Sequence, residues 1–151
     1  IVVVNKWDAI ERETGTLESY KKEVLEDLKF MDYAPVLFLS AKTGQRVHTV
    51  MDMVDQVWAQ CCKRIPTGVL NDVLTDATAD LQPPATNGRR LKIYYITQQG
   101  TCPPLFILFV NDETLMHFAY ERYLENYFRK TFDFTGTPIR FLLRERKKDE
   151  K

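Results

Sequence analysis

Residues 1–8, IVVVNKWD, decide the fold of the first part of the chain. The four leading residues are apolar and three of them are valine, which is typical of a strand buried on both faces of a parallel sheet. Residues 5–8 then form a mainly polar loop at the carboxyl end of that strand. Because ligands of open α/β sheets bind outside the carboxyl ends of the strands, we expect this loop to contact a ligand.

A second apolar run, residues 36–39 (VLFL), is followed by the loop Ser40-Ala41-Lys42. Helical spacing predicts a helix from Thr16, as its cap, to about Met31 between the two strands. A second helix is predicted over the apolar stripe of Val47, Val50, Met51, Val54, Val57 and Trp58. The order strand, helix, strand, helix predicts an α/β unit (βαβα) over residues 1–65.

The pattern changes at Pro66, and residues 66–151 are predicted to form a second domain. Its elements follow the order αββαβ, which predicts an α+β domain with a three-stranded antiparallel or mixed sheet and helices on one side. The predicted elements are a helix over 67–78, a loop over 81–88 (LQPPATNG), strands over 91–96 and 106–110, a helix over 113–132 capped by Asn111 or Asp112, and a strand over 139–143. Tyr120, Tyr123 and Tyr127 form a stripe on the long helix, either as core packing or as a platform for stacked bases.

Composition and charge exclude several classes of protein. Hydrophobic residues make up 44% of the chain, enough for a core, but no apolar run approaches the roughly 18 residues of a membrane span. The net charge is zero, yet residues 89–151 carry 12 Lys and Arg against 8 Asp and Glu. The three cysteines are odd in number and lack a CxxC spacing, so we expect no disulfide framework or metal site and a reducing, cytoplasmic location.

The pattern Asn-Lys-x-Asp after a strand suits recognition of a guanine base. A carboxylate at Asp8 can accept hydrogen bonds from guanine N1–H and N2–H₂ together, each contributing about 1.5–3 kcal/mol. Lys6 can lay its aliphatic stem over the base plane. The small side chain of Ala41 lets its backbone N–H approach the base oxygen. Either motif alone also fits an ordinary strand-end turn or helix cap.

Together the motifs resemble a known family. Residues 5–8 and 40–42, about one βα unit apart, are similar to the two guanine-reading boxes of translation-factor-type P-loop GTPases. Residues 91–98 (LKIYYITQ), 120–126 (YERYLEN) and 134–140 (FTGTPIR) closely resemble the KH-like C-terminal domain of the bacterial tandem-G-domain GTPases called Der or EngA. The resemblance covers essentially the whole chain. It implies a partial P-loop GTPase fold, the end of a second G domain, followed by a complete KH-like domain.

The resemblance also implies a role for each matching residue in guanine binding. Asp8 would bind the ring nitrogens, Asn5 would brace the base and the loop, and Lys6 would cover the base. Ser40 would hold the second loop, the Ala41 N–H would meet the guanine oxygen, and Lys42 would flank the base opposite Lys6.

The implied cofactor is GTP or GDP with Mg²⁺ in the intact protein. The 151 residues contain no GxxxxGK[ST] motif, so we expect the phosphate, Mg²⁺ and switch residues to lie upstream of Ile1. We therefore expect no catalytic or metal-binding residue here, no GTP hydrolysis by this chain alone, and no tightly bound nucleotide.

The resemblance implies a ribosome-assembly GTPase whose partners are the pre-50S ribosome, its rRNA and the first G domain of the same protein. Authentic KH domains hold RNA with a GxxG clamp, and no two glycines here are three residues apart. Candidate phosphate contacts are Arg89, Arg90, Arg140, Arg144, Arg146, Lys147 and Lys148. The basic tail is either a frayed, solvated end or an arm that faces RNA. The alternative function is a non-enzymatic module that binds RNA or ribosomal protein.

Overall fold

The structure, a computed structural model, describes residues 1–11, 14–86 and 88–146. The chain divides into two compact units. The first unit is Ile1–Gln60 with Thr135–Thr137, and the second is Cys61–Phe134 with the residues from Pro138 onward. This division lies near the predicted domain boundary at residues 65 and 66, which stays a prediction. In the described ranges, no helix is long and apolar enough to cross a membrane.

The first unit contains two parallel strands and two helices in the predicted order. Strand β1 (Val2–Val4), helix α1 (Thr16–Asp27), strand β2 (Val36–Phe38) and helix α2 (Thr49–Cys61) follow one another along the chain. The strands pair with Val2 opposite Val36 and Val4 opposite Phe38. Because the strands are parallel, the loops that follow them leave the same edge of the sheet.

Three expectations for the first unit are wrong. Val3 is 44% exposed rather than buried, because among the described residues β1 pairs with β2 alone, in a two-stranded sheet. Helix α2 begins at Thr49, so Val47 of the predicted stripe precedes it, and Met51 and Trp58 of that stripe are 64% and 62% exposed. Helix α1 is capped by Gly15, whose φ is +91°, and Thr16 is its first helical residue. The helix ends at Asp27, and a separate 3-10 turn covers Lys29–Met31.

The segment Thr135–Thr137 packs within the first unit and requires a glycine at its centre. The Gly136 N–H donates to the Tyr33 carbonyl oxygen at 2.8 Å. Gly136 has a φ of +75°, and a Cβ at this position would overlap the side chain of Val57. Both the left-handed backbone and the close approach therefore exclude larger residues.

The second unit is a three-stranded sheet with helices on one face. Strand β5 (Ile93–Gly100) pairs antiparallel with β6 (Leu105–Val110), and β6 pairs parallel with β7 (Arg140–Glu145). The sheet is therefore mixed, one of the two predicted alternatives. The predicted loop over 81–88 also holds the short strand β3 (Ala85–Thr86), which pairs with β4 (Arg89–Arg90).

Helices α3 (Thr67–Asp80) and α4 (Phe118–Phe132) cover the core of the second unit. Leu70 of α3, Leu124 and Phe128 of α4, and Phe106 and Leu108 of β6 are all fully buried in it. The predicted helix over 113–132 is interrupted. A 3-10 turn over Glu113–Leu115, capped by the Asp112 side chain, precedes α4, and His117 caps α4 by accepting the Ala119 N–H at Nδ1.

Two amide side chains connect the sheet to α3 and to the segment that precedes it. Asn71 of α3 donates to the Ile96 carbonyl oxygen and accepts the Ile96 N–H, both at 3.0 Å. The buried Gln98 accepts the Ile65 N–H at 2.8 Å and donates to the Lys63 carbonyl oxygen at 2.8 Å. These bonds satisfy polar groups that would otherwise be costly to bury.

The tyrosine stripe of α4 packs against the end of α3, so it is core packing and not a platform for bases. The hydroxyls of Tyr120 and Tyr123 donate to the carbonyl oxygens of Leu81 and Ala77 at 2.9 and 2.8 Å. The Leu81 carbonyl lies just past the end of α3, where helix carbonyls lack intrahelical partners, and Tyr120 supplies a donor. The Ala77 carbonyl also accepts the Leu81 N–H at 3.1 Å, so Tyr123 adds a second donor to it. Burial raises the pKa of Tyr120 to about 12, which keeps its hydroxyl protonated and able to donate.

We predict faster hydrogen exchange in residues 1–64 than in residues 89–143 of the 151-residue chain. Of the buried hydrophobic residues that the structure describes, 4 lie in the first unit and 16 in the second. Opening a segment with few buried apolar side chains costs less free energy. Exchange monitored by mass spectrometry or NMR measures the difference, and equal protection of the two segments would contradict it.

Candidate functional site

The first predicted loop, residues 5–8, is shaped by one amide and one buried aromatic ring. Asn5 Oδ1 accepts the Lys6 N–H at 2.7 Å, and Lys6 has the left-handed φ of +61°. Trp7 is 3% exposed and packs against Phe38 with ring centroids 4.6 Å apart. The backbone N–H of Trp7 donates to the Leu39 carbonyl oxygen at 3.1 Å. With Trp7 held inside, its neighbours Lys6 and Asp8 are exposed.

The second predicted loop, residues 40–42, begins at a fully buried serine. The Ser40 N–H donates to the Gln45 carbonyl oxygen at 3.1 Å. Its hydroxyl oxygen accepts the Thr43 N–H at 3.3 Å. Ala41 and Lys42 follow in the turn and are exposed. Ser40 is therefore a fixed point from which the exposed part of the loop extends.

Two hydrogen bonds join the loops to each other. The Ser40 hydroxyl donates to Asp8 Oδ1 at 2.5 Å, and the Ala41 N–H donates to Asn5 Oδ1 at 3.0 Å. The structure thus brings Asn5, Asp8, Ser40 and Ala41 together, as expected for residues at one edge of a parallel sheet. A guanine oxygen that approached the Ala41 N–H would share it with Asn5 or displace Asn5.

The Asp8 carboxylate is an exposed acceptor that is bonded to the second loop. An ionised carboxylate offers about four acceptor positions on two oxygens, and the Ser40 hydroxyl donates to Oδ1. Since Asp8 is exposed, a planar ligand can reach it from solvent. The Ser40 bond also reduces the rotamer freedom that Asp8 would lose on binding.

Sequence reasoning missed two contributors to this site. It treated Trp7 as the variable residue of Asn-Lys-x-Asp, whereas Trp7 anchors the loop. An aromatic residue between two charged ones was an available signal. Gln45, which receives the Ser40 N–H through its backbone carbonyl, gave no such signal, because any residue has that carbonyl.

The predicted phosphate contacts fall into two groups. Arg89 forms an ion pair with Asp112 at 2.9 Å, and Arg90 donates to Gln82 Oε1 at 2.6 Å. Hydrogen bonds from Thr114, and the nearby Arg89, lower the pKa of Asp112. Arg140, Arg144 and Arg146 are exposed on and after β7. Lys147 and Lys148 lie outside the described residues.

The three cysteines are free thiols. Cys62 Sγ lies 3.0 Å from Cys102 Sγ, and this contact raises the pKa of the Cys102 thiol. Within residues 1–11, 14–86 and 88–146, no group of three or more His, Cys, Asp or Glu side chains is arranged to hold a metal ion.

Comparison with known proteins identifies the relatives of the chain. Residues 64–144 match the family model described as the KH-domain-like C-terminal domain of EngA bacterial GTPase enzymes. Proteins named GTPase Der from Acetivibrio thermocellus and Ruminiclostridium cellulolyticum are each 58% identical over 149 residues, 99% of this chain and 34% of theirs. One from Caldicellulosiruptor saccharolyticus is 55% identical over 146 residues, 97% of this chain and 33% of its own. The chain thus spans about a third of the length of these curated relatives.

We predict that Ser40→Ala loosens both loops. The substitution removes the bond to Asp8 and the acceptor of the Thr43 N–H, and because Thr43 is exposed the cost is that of a net hydrogen bond, about 0.5–1.5 kcal/mol. Hydrogen exchange at the Thr43 amide should therefore be about 2- to 12-fold faster. Ser19→Ala, at an exposed position of α1, is the matched control. Unchanged exchange at Thr43 in Ser40→Ala would show that the hydroxyl does not hold the loop.

Proposed function

The chain belongs to the EngA family of bacterial GTPases, and from this membership we propose that residues 1–65 are the guanine-recognition half of a P-loop GTPase domain. Residues 66–151 are the KH-like domain that follows it. The observation that carries the proposal is the pair of hydrogen bonds that joins Asn5 to Ala41 and Asp8 to Ser40. The complete protein would be a cytoplasmic GTP hydrolase that acts in assembly of the large ribosomal subunit.

Base selection is the chemistry that these residues support. Asp8 accepts guanine N1–H on one carboxylate oxygen and N2–H₂ on the other, at about 1.5–3 kcal/mol for each charged hydrogen bond. Adenine presents an unprotonated N1 and no amino group at C2, so it leaves the carboxylate without these donors. The stems of Lys6 and Lys42, both exposed, would cover the two faces of the base. The Ala41 N–H would then donate to the guanine oxygen.

The phosphates and Mg²⁺ of the nucleotide do not fit the residues of this chain. The sequence has no glycine-rich phosphate loop, and the described ranges hold no three-ligand cluster for a metal ion. The role of this chain in GTP binding would therefore be selection of the base. The residues that would bind the triphosphate belong to other parts of the complete protein.

We predict that Asp8→Asn in the full-length protein exchanges guanine for xanthine. The new amide donates to the xanthine C2 oxygen and accepts N1–H, whereas GDP loses at least one charged hydrogen bond. Affinity for GDP at this site should fall at least about tenfold, and binding of xanthosine diphosphate should appear. Isothermal titration with both nucleotides measures the exchange, and it reports on this site even if another site binds GDP.

Asp52→Asn, an exposed carboxylate on α2, is the matched control and should leave both affinities unchanged. If Asp8→Asn neither weakened GDP nor gained xanthosine diphosphate, Asp8 would not read the base and the proposed function of residues 1–65 would be wrong.

A second, non-enzymatic function is carried by the KH-like domain, which would contact ribosomal RNA or protein in the pre-50S particle. Exposed Arg140, Arg144 and Arg146 support this proposal, together with the basic excess of residues 89–151. Contacts with phosphates give affinity that falls as salt rises. Since no GxxG clamp is present in the sequence, other surfaces of the domain would make these contacts.

We predict that reversing the charge of Arg144, Arg146 and Lys147 to Glu weakens association with large ribosomal subunits. Each lost phosphate contact removes a released counterion, so affinity at low salt and its salt dependence both decrease. Co-sedimentation of the full-length protein at several salt concentrations measures this. The control reverses Lys21, Lys22 and Lys29 of the first unit. If both triple variants associated as strongly as the wild type, Arg144, Arg146 and Lys147 would not be contacts with the large subunit.

A further inference from the structure

One face of the three-stranded sheet lies opposite the helical core. In β6, Phe106, Leu108 and Val110 belong to that core, whereas the alternating residues Ile107 and Phe109 do not. Strand pairing extends this alternation across the sheet, because residues opposite each other share a face. We call the second surface the open sheet face. It comprises Tyr95, Thr97, Leu105, Ile107, Phe109, Arg140, Leu142 and Arg144. Ile107, at its centre, is itself only 5% exposed, so the accessible part of this face is the set of side chains around it.

A continuous row of π systems crosses the open sheet face. Tyr95, Phe109 and Arg144 stand opposite one another on the three strands. The rings of Tyr95 and Phe109 are stacked, with centroids 4.2 Å apart and planes inclined by 14°. The Arg144 guanidinium lies over the Phe109 ring with Cζ 5.9 Å from the centroid. Tyr95 is 37% exposed, so its ring can extend the stack to a further planar group.

A second aromatic ring with cations lies at the edge of the same sheet. Tyr94 lies where the pairing of β5 with β6 shifts register, and it is 38% exposed. Lys92 Nζ lies 5.3 Å and Arg146 Cζ 5.5 Å from its ring centroid. A cation held over a ring keeps its N–H donors directed outward to other acceptors.

The charged side chains on this surface are all basic. Arg140 and Arg144 are the charged members of the open sheet face, and Lys92 and Arg146 flank Tyr94. Leu142 lies between Arg140 and Arg144 and is 49% exposed. Planar rings beside cations are complementary to unpaired bases beside phosphates. An acidic peptide would satisfy the cations but could stack on the rings only through occasional aromatic side chains, whereas every unpaired base offers a planar face.

We propose that the open sheet face binds single-stranded RNA, with an unpaired base stacked on Tyr95 and phosphates at Arg140 and Arg144. Tyr94 and its two cations provide a second position for a base. This inference rests on the RNA contact of the proposed function and deepens it by naming the surface and the kind of RNA. Duplex RNA, whose bases are stacked inside the helix, cannot use the rings in this way.

The test measures binding of a fluorescein-labelled, 12-nucleotide single-stranded RNA of mixed sequence to the full-length protein by fluorescence anisotropy. Tyr95→Ala removes the stacking ring and should weaken binding about 5- to 100-fold, whereas Tyr95→Phe should keep it. Leu142→Glu places an acid between the two arginines at an exposed site and should weaken binding at least about tenfold without removing core contacts. Arg144→Gln should lower the slope of log affinity against log salt by about 0.7.

Two controls carry matched changes away from the open sheet face. Phe118→Ala truncates an aromatic residue of α4 that is 73% exposed, and Arg122→Gln removes an exposed charge from the same helix. Both should bind the RNA as the wild type does. Thermal unfolding of Leu142→Glu and Tyr95→Phe verifies that the sheet is intact.

Three results would overturn the inference. They are wild-type affinity in Leu142→Glu and Tyr95→Ala, equal affinity of the wild type for the single strand and for its duplex, and no binding of the single strand at 50 mM salt. Co-sedimentation with large ribosomal subunits then separates failure of this inference from failure of the proposed function. If the wild type still associates with the subunits, only the assignment of this surface fails. If it binds neither, the proposed RNA contact fails with it.

Discussion

The first unit depends on two hydrogen bonds that link segments more than 30 residues apart in sequence. Asp8 and Ser40 are separated by 32 positions, and Asn5 and Ala41 by 36. Parallel pairing of β1 with β2 brings the loops to one edge, Trp7 anchors one of them, and the buried Ser40 anchors the other. A site assembled in this way is held before its ligand arrives, so less conformational entropy is lost on binding.

The second unit covers one face of its small sheet with helices and leaves side chains of the other face, such as Tyr95 and Leu142, accessible. The phenol groups of α4 donate to carbonyls at the end of α3, while Asn71 and Gln98 join the sheet to α3 and to the segment that precedes it. With these groups satisfied, the helical layer is complete on its own side. The opposite face can therefore display aromatic and basic side chains that the fold does not need for its core.

Much of this organisation was predictable from local sequence, and the failures have physical causes. The order of helices and strands follows from the periodicity of apolar residues and from the change of pattern at Pro66. The break before α4 was missed because its cap is His117, which bonds through Nδ1 and is an uncommon cap. The exposure of Val3, Met51 and Trp58 could not be predicted, because an apolar pattern shows which residues are hydrophobic and not which other residues pack against them. At the site, residue identity indicated Asp8 and Ser40, whereas the bond between them depends on strand register.

The central claim is that the loops after β1 and β2 together read a guanine base. The most direct measurement is an experimental structure of the full-length protein with GDP bound. The predicted result places guanine N1 and N2 within about 3 Å of the Asp8 carboxylate oxygens, with Ser40 still bonded to Asp8. If these two loops held no base in the presence of saturating GDP, or held one that made no contact with Asp8, the account would be contradicted.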